Sequence, residues 1–340
     1  MRKYCEENER IKRRYMAYLK HAKGQDQKSI DKVAAALVKF EQNTSFKPFK
    51  RFHIDQAGRF KTYLEKARHP KTGKPLSFST IDSILRLVKS FFHWLAGQPG
   101  YKSRINYPDV EYFNNNAKNA RVAHARRDIP FPSMEASLHA FQAMPDATEL
   151  EMRDKAIFAF LMLTGARDGA VASLKTKHIN LFDSSVFQDG REVKTKNGKT
   201  FTTWFLPVGS VYWDCFEEWI TFLLKEKLFG PEDALFPKPE RTLKNGCFVF
   251  EVLSRDNYSN ATKINAVIRN AFAMVQLPQY TAHSIRKTLG LLMNDRKLSL
   301  EAQKSWSQNL GHENFITTVS SYLPVSSQRQ AEIIKGMGKG

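Results

Sequence analysis

The sequence predicts a mainly α-helical protein with a small N-terminal helical bundle and a larger, mostly helical second domain that contains a small antiparallel β-sheet. Apolar residues recur at helical spacing through most of the 340 residues. Turn-forming and basic residues interrupt this pattern between 98 and 132. In the second half, two strand-like segments flank Asn197-Gly198, a strong hairpin turn signal. Together these observations predict two domains joined by a linker.

The first domain is predicted to span 26–112 and to contain helices at 29–42, 54–67 and 80–96. In the third helix Ser79 is placed to cap the N-terminus. The wide apolar stripe of this helix consists of Ile81, Ile84, Leu85, Val88, Phe91, Phe92 and Leu95. The highly charged segment 1–25 precedes the bundle, and it is predicted to be a mobile arm or an exposed first helix.

The segment 113–132 is predicted to be a basic linker. Gln98-Pro99-Gly100 ends the preceding helix, and the stretch Arg121–Arg127 supplies positive charge before Pro130 and Pro132. Two interpretations fit this composition equally well. The linker either lies along the phosphates of a nucleic acid or is a solvent-exposed tether.

The second domain is predicted to span 133–340, including a C-terminal tail at 323–340. The β-sheet is predicted at 184–194 and 200–206. The predicted helices lie at 133–143, 149–164, 168–175, 210–227, 262–276, 284–295, 299–310, 314–322 and 328–337.

The charge balance favours a polyanionic partner. Lys and Arg number 53 against 34 acidic residues, a net charge of +19 that is spread along both halves of the chain. The three cysteines, Cys5, Cys215 and Cys247, show no CxxC spacing, which argues against a disulfide scaffold and a structural zinc site and indicates a reducing compartment, the cytoplasm. The charged N-terminus lacks the apolar core of a signal peptide, and no apolar run reaches the ~18 residues of a membrane span.

Four short motifs carry groups suited to phosphate chemistry. Each is weak alone, because a surface arginine, a turn lysine and a helix-end histidine are common. Gly165 permits a sharp turn that would present an arginine at a helix start, and a His and an Arg at i and i+3 share one helix face. The motifs are Leu163-Thr164-Gly165-Ala166-Arg167, Lys194-Thr195-Lys196-Asn197-Gly198-Lys199, His283-Ser284-Ile285-Arg286, and Leu310-Gly311-His312 followed by Tyr322.

The order of these motifs resembles the catalytic domain of the tyrosine recombinase (phage integrase) family over 130–340, and 25–97 resembles that family's core-binding domain. The resemblance implies an enzyme that cuts and rejoins DNA through a covalent link from Tyr322 to phosphate. It implies that Arg167 and Arg286 clamp the scissile phosphate. It also makes His283 and His312 the site histidines. Lys196 becomes the hairpin lysine, with Lys194 as the competing register.

Three features depart from the family pattern. Ala170 stands where a carboxylate often follows the first arginine, and Asp168 nearby is expected to point elsewhere. Lys287 follows Arg286 where a histidine is frequent. The interval from His312 to Tyr322 is one residue longer than usual. The missing carboxylate leaves open what orients the neighbouring residues.

The resemblance also implies the partners. These are double-stranded DNA attachment sites, a homo-tetramer on DNA and accessory DNA-bending proteins, with no cofactor, metal, ATP or membrane, and a nucleoid location in the cytoplasm. The tail 323–340 packs either on its own domain or on a neighbouring subunit. The alternatives are a metal-dependent nuclease or transposase, which would need clustered carboxylates; a DNA-binding protein without activity; and a relative that resolves telomeres or acts as a type IB topoisomerase.

Overall fold

The computed structural model describes residues 4–70, 72–125, 130–244, 247–295 and 298–313, together with residue 334. The chain divides into two compact units, Met1–Asp128 and Ile129–Gly340. The predicted fold class is confirmed, because both units are built mainly of helices and the second carries small antiparallel sheets. Within the described residues no helix is both long enough and apolar enough to cross a membrane.

The first unit is a helical bundle around an aromatic core. Phe92 lies at its centre, where its ring packs edge-on against Phe40 with the ring centroids 5.1 Å apart and against Phe52 at 4.5 Å. Burial of these large rings is the main stabilising term of so small a unit. The helices are α1 (Glu6–His21), α2 (Gln27–Asn43), α3 (Ile54–Lys66), α4 (Phe78–Ala96), α5 (Tyr107–Val110) and α6 (Ala117–His124).

Two segments of this unit differ from the sequence-based expectation. Within the charged segment 1–25, Glu6–His21 form α1, a first helix as one of the two alternatives predicted, but this helix buries Ile11, Tyr15 and Leu19 against the bundle. The expected linker contains α6, which packs along α4. Charge dominates both sequences and hides the few apolar or capping residues that fix these helices.

The cap of α4 also differs from the expectation. Ser77, not Ser79, accepts a hydrogen bond from the backbone N–H of Thr80, because the helix begins at Phe78.

The second unit is arranged around the buried helix α8. Every residue of α8 from Ala156 to Leu163 is buried, and α10 packs along it. Up to residue 313, where the continuous description ends, the helices of this unit are α7 (Met134–Gln142), α8 (Glu149–Thr164), α9 (Asp168–Val171), α10 (Ser210–Thr221), α11 (Thr262–Met274), α12 (Ala282–Asp295) and α13 (Leu300–Asn309). α10 continues into a π-helical turn at Phe222–Glu226.

The main sheet is antiparallel in the order β1 (Ile179–Asn180), β2 (Ser185–Gln188) and β3 (Phe201–Trp204). Val186 pairs with Thr203, and Gln188 pairs with Phe201. The predicted strand 184–194 is therefore too long: β2 ends at Gln188, and 189–200 form a loop instead of a two-residue turn. A second hairpin, β4 (Thr242–Lys244) and β5 (Cys247–Val249), has no counterpart in the sequence prediction.

Candidate active site

The first site arginine follows a glycine turn. α8 ends at Gly165, whose left-handed backbone (φ 58°, ψ 24°) turns the chain sharply. A Cβ at this position would lie 2.6 Å from Cδ2 of Leu310, so only glycine fits both the conformation and the space. Arg167 comes next as the N-cap residue of α9, and it is half-buried. The turn therefore presents Arg167 at a helix start, as the sequence predicts.

Arg286 lies on α12 and is held rigidly in the protein interior. Its side chain is 4% exposed. One guanidinium nitrogen donates to the carbonyl of Gly165 at 2.6 Å, and the other donates to the carbonyl of Leu310 and contacts Nε2 of His312 at 2.9 Å. Arg286 thus connects the turn before Arg167 to the turn before His312. These contacts place one positive charge at the junction of three chain segments.

His312 is positioned by a second glycine turn. Gly311 has φ 71°, and a Cβ there would lie 2.5 Å from Cζ of Phe201 on β3. The backbone N–H of His312 donates to the carbonyl of Ser307, and its side chain is 8% exposed. Because a guanidinium only donates, Nε2 of His312 accepts from Arg286, which leaves the ring proton on Nδ1.

The charges around His312 converge on one point. Its pKa is lowered to about 3, first by burial and then by the positive charges of Arg286, Arg167, Lys196 and Lys199. His312 is therefore neutral near pH 7. Arg286 thus brings the turns at Gly165 and Gly311 together, although they are more than a hundred residues apart in sequence, and the surrounding charges make this region electropositive. Such an environment stabilises a phosphate.

The loop 189–200 distinguishes the candidate lysines. Nζ of Lys194 donates to the carbonyl of Ser259 at 2.8 Å, and its backbone N–H donates to Oγ of Ser173. Lys196 is exposed, and its charge acts on His312. Lys199, which sequence reasoning did not select, also acts on His312. The electrostatics thus favour Lys196 over Lys194 as the hairpin lysine.

The two ends of this loop are held together at its base by contacts of Gly190 with Thr200 and Gly198. The backbone N–H of Gly190 donates to Oγ1 of Thr200 at 2.9 Å. A Cβ on Gly190 would lie 1.9 Å from the carbonyl oxygen of Gly198. Asn197 and Gly198 both adopt positive φ, as the Asn-Gly signal requires. The loop that carries Lys196 is therefore defined at its base while the lysine itself is exposed to solvent.

His283 is exposed near the start of α12, one helical turn before Arg286. Its pKa is lowered by partial desolvation and by the charges of Arg286, Arg167 and Lys287, whereas Asp168 opposes this shift. Tyr322, the expected nucleophile, lies outside the described residues, as does the tail 323–340 apart from Ile334.

Sequence reasoning missed the polar residues that orient His312. Nε2 of buried Gln188 donates to Oγ1 of Thr203, and Oγ1 of Thr203 donates to the carbonyl of Asn309. The side chain of Asn309 also pairs with both backbone groups of Trp204. The residues Asn309 to His312 are thereby attached to the edge of β3. The position of Asn309 directly before Leu310-Gly311-His312 is the only signal in the sequence for this role.

Comparisons with solved structures identify the same fold. The chain is similar to a lambda integrase (residues 75–356) dimer bound to a COC′ core site, with 14% identity, a TM-score of 0.61 and coverage of 92% of this chain and 94% of that chain. It is also similar to the Tn1549 transposon integrase in complex with a circular intermediate DNA, with 12% identity, a TM-score of 0.62 and coverage of 96% of this chain and 98% of that chain. A third similar structure is the XerH site-specific recombinase bound to palindromic difH substrate, with 16% identity, a TM-score of 0.59 and coverage of 93% of this chain and 81% of that chain. No curated protein sequence matches the chain.

The family assignment comes from the sequence of the second unit. The model of the phage integrase family matches residues 134–329. That range contains Arg167, Lys196, Arg286, His312 and Tyr322. The chain therefore belongs to the phage integrase family, the tyrosine recombinases, which cleave and rejoin DNA.

Proposed function

We propose that this site-specific DNA recombinase uses Arg167, Lys196, His283, Arg286 and His312 to attach its Tyr322 to a DNA backbone phosphate. The observation that carries this assignment is the position of buried Arg286, which donates to the turn before Arg167 and contacts His312. Arg167, Lys196 and Lys199 add positive charge that acts on His312. Such a concentration of positive charge suits a phosphate that gains negative charge in its transition state.

The proposed reaction is an in-line phosphoryl transfer. The Tyr322 oxygen forms a bond to phosphorus as the bond from phosphorus to the 5′ oxygen breaks, giving a 3′-phosphotyrosyl link. The phenolic proton passes to His283, directly or through groups hydrogen-bonded to it, and Lys196 gives a proton to the leaving 5′ oxygen. Arg167, Arg286 and Nδ1–H of His312 stabilise the phosphate oxygens. A second 5′ hydroxyl then reverses the sequence of bonds, so the energy of the phosphodiester is conserved without metal or ATP.

The proposed partner is duplex DNA, and the proposed assembly is a tetramer. Support for DNA comes from the net charge of +19 and from the similar solved structures, which are complexes with a core site, a circular intermediate DNA and a difH substrate. Exchange between two duplexes breaks four strands, and one tyrosine for each strand requires four protomers. Accessory DNA-bending proteins and a nucleoid location belong to the same proposal.

The C-terminal tail is proposed to connect these protomers. A groove of about 950 Å³ lies between β3 and α13, and its lining includes Trp204, Leu206 and Trp306. The tail 323–340 supplies apolar side chains of matching character, among them Ile333 and Ile334. Docking of one protomer's tail in a neighbour's groove predicts that deletion of 323–340 abolishes the tetramer on DNA while monomers still bind. Unchanged tetramers after the deletion would favour packing on the same domain.

Covalent trapping tests the chemistry. The protein is incubated in EDTA with a nicked duplex that contains its attachment site, and a denaturing gel then reveals any protein–DNA adduct. We expect an adduct that the substitution Tyr322→Phe eliminates. Binding without an adduct would indicate a DNA-binding protein without activity, and an adduct that needs added metal would point to a nuclease or transposase. Relaxation of supercoiled DNA without strand exchange would indicate the topoisomerase relatives. Formation of hairpin ends without strand exchange would indicate the telomere-resolving relatives.

A further inference from the structure

The starts of α9 and α12 are joined by a pair of side chains that the proposed chemistry does not use. One oxygen of the Asp168 carboxylate accepts a hydrogen bond from the backbone N–H of Gly169 at 2.8 Å, and the other accepts from Nδ2 of Asn265 at 2.5 Å. Asn265 lies on α11. Its Oδ1 accepts from the backbone N–H of Ala282, the first residue of α12, at 3.2 Å. A continuous path of hydrogen bonds therefore runs from α9 through α11 to α12.

This path is adjacent to the site residues at both ends. Arg167 immediately precedes Asp168, and His283 immediately follows Ala282. The remainder of α12 carries Arg286. The path therefore connects the backbone of the first arginine to the backbone of the segment that carries His283 and Arg286, over a separation of more than a hundred residues in sequence.

The sequence position of Asp168 makes this arrangement specific. The residue three positions after Arg167 is Ala170, which is 1% exposed and packs in the apolar core. The carboxylate nearest Arg167 in sequence is thus the one paired with Asn265. The negative charge of Asp168 also raises the pKa of His283, against the lowering effects of burial and of Arg286, Arg167 and Lys287.

We propose that Asp168 and Asn265 are positioning residues for DNA cleavage, which fix Arg167 relative to His283 and Arg286. This inference rests on the function proposed above for those three residues. Neither side chain contacts the phosphate in this proposal. They act by setting the distance between two groups that must contact the same phosphate, where a displacement of about 1 Å lowers the rate of an enzyme on the order of 100-fold.

An exchange of the two residues tests the pair. Asn265→Asp places two carboxylates together and removes the donor of the central hydrogen bond. Asp168→Asn leaves one acceptor oxygen where the carboxylate has two, so the side chain loses either the bond from the backbone of Gly169 or the bond from Asn265. The double variant Asp168→Asn/Asn265→Asp restores it with donor and acceptor reversed, and the carboxylate introduced at position 265 still accepts from the backbone N–H of Ala282. The measurements are single-turnover adduct formation on the nicked duplex, DNA affinity and melting temperature.

We expect each single variant to form adduct about 10- to 100-fold more slowly with unchanged DNA affinity, and the double variant to recover most of that loss. The pH profiles distinguish positioning from a general loss of structure. Asp168→Asn removes a negative charge near His283 and shifts the acid limb of the cleavage profile to lower pH. Asn265→Asp adds a negative charge and shifts the limb to higher pH.

The control is a similar pair in the same unit. Nδ2 of Asn180 donates to the carboxylate of Asp183 at 2.6 Å on the exposed turn between β1 and β2. Asp183→Asn should leave adduct formation unchanged. Single variants that cleave at the wild-type rate, or a double variant as slow as the singles, would overturn the proposal. If the wild type forms no Tyr322-dependent adduct, the proposed function itself fails and the positioning role fails with it.

Discussion

The candidate active site has a fixed half and an exposed half. In the fixed half, Arg286 and His312 are less than a tenth exposed, and they are hydrogen-bonded to each other and to the backbone of two glycine turns. In the exposed half, Lys196 lies on the loop 189–200, and the partly desolvated His283 lies at the surface near the start of α12. Both halves belong to the second unit, so the difference in burial arises from the local structure around each residue.

The two halves match two different chemical tasks. Stabilising charge on a phosphate benefits from groups that need no reorganisation when the reaction occurs, and buried groups with several hydrogen bonds satisfy that condition. A proton donor must instead reach the particular oxygen that leaves, and an exposed lysine on a loop can adjust to the bound DNA. The comparison predicts that substitutions in the fixed half resist rescue, whereas a substitution of Lys196 in the exposed half is rescued by a change of leaving group.

The largest effect is expected from Arg286→Lys. Lysine keeps the charge but cannot donate simultaneously to the carbonyls of Gly165 and Leu310 and to His312. We expect adduct formation to fall about 10²- to 10³-fold or more, with DNA affinity retained. The control is Arg255→Lys, which changes an exposed arginine that pairs with Asp233. A variant with near-normal cleavage would show that charge alone suffices at position 286.

The next effect concerns the exposed half. We expect Lys196→Met to slow adduct formation about 10²-fold, since general acid catalysis contributes roughly that much or more. A duplex whose leaving 5′ oxygen is replaced by sulfur should restore the rate, because a thiolate leaves without a proton.

Lys194→Met is the matched control, because Nζ of Lys194 is bonded to the carbonyl of Ser259 and not directed at the site. Its cleavage rate should match the wild type on both duplexes. If Lys194→Met shows the defect and the sulfur rescue instead, Lys194 is the acid. If Lys199→Met shows them, the third lysine of the loop has that role.

A smaller effect is expected from Gly311→Ala. The new Cβ would lie 2.5 Å from Cζ of Phe201 at a positive φ, so His312 should move and cleavage should fall about tenfold or more. Gly24→Ala has a similar backbone penalty, at φ 61°, with nothing within 4 Å of the new Cβ, so it should cleave normally. Adding Phe201→Leu to Gly311→Ala should recover part of the loss, and no recovery would mean that the contact with Phe201 is not the cause.

The fold class was accessible from sequence because it depends on local patterns. Apolar spacing indicated α4 and α8, and the glycines at 165 and 311 marked the turns that the structure contains. The segments that differed depend on tertiary contacts. α1 is helical because Ile11, Tyr15 and Leu19 find a bundle to pack against, which its charged composition conceals.

The polar contacts of Asn265 and Asn309 could not be predicted, for the same reason. Asn265 and Asn309 are ordinary helix residues in sequence, and only the fold brings them to Asp168 and Trp204. The end of β2 at Gln188 was likewise missed, because the backbone N–H of Lys194 bonds to Ser173 on another segment and not to a strand. In contrast, Asn245-Gly246 between β4 and β5 is a local hairpin signal that sequence reasoning could have used.

The smallest effect is a pH dependence of stability that arises from His312 in the fixed half. Burial and four positive neighbours lower the pKa of His312 from 6.5 to about 3. Between pH 6.5 and pH 3, His312 therefore binds a proton in the unfolded chain but not in the folded chain. The stabilising contribution is complete above pH 6.5 and is lost as the pH falls toward 3, at about 1.4 kcal/mol for each pH unit.

Urea unfolding of the wild type and of His312→Asn between pH 7 and pH 5 measures this contribution. The difference in the free energy of unfolding between the two proteins should change by about 2 kcal/mol over that range, with the wild type losing more. His139→Asn, which replaces an exposed histidine on α7, serves as the control. A pH-independent difference for His312→Asn would mean that His312 is not held neutral, and the fixed half would then not be the preorganised environment that its buried contacts indicate.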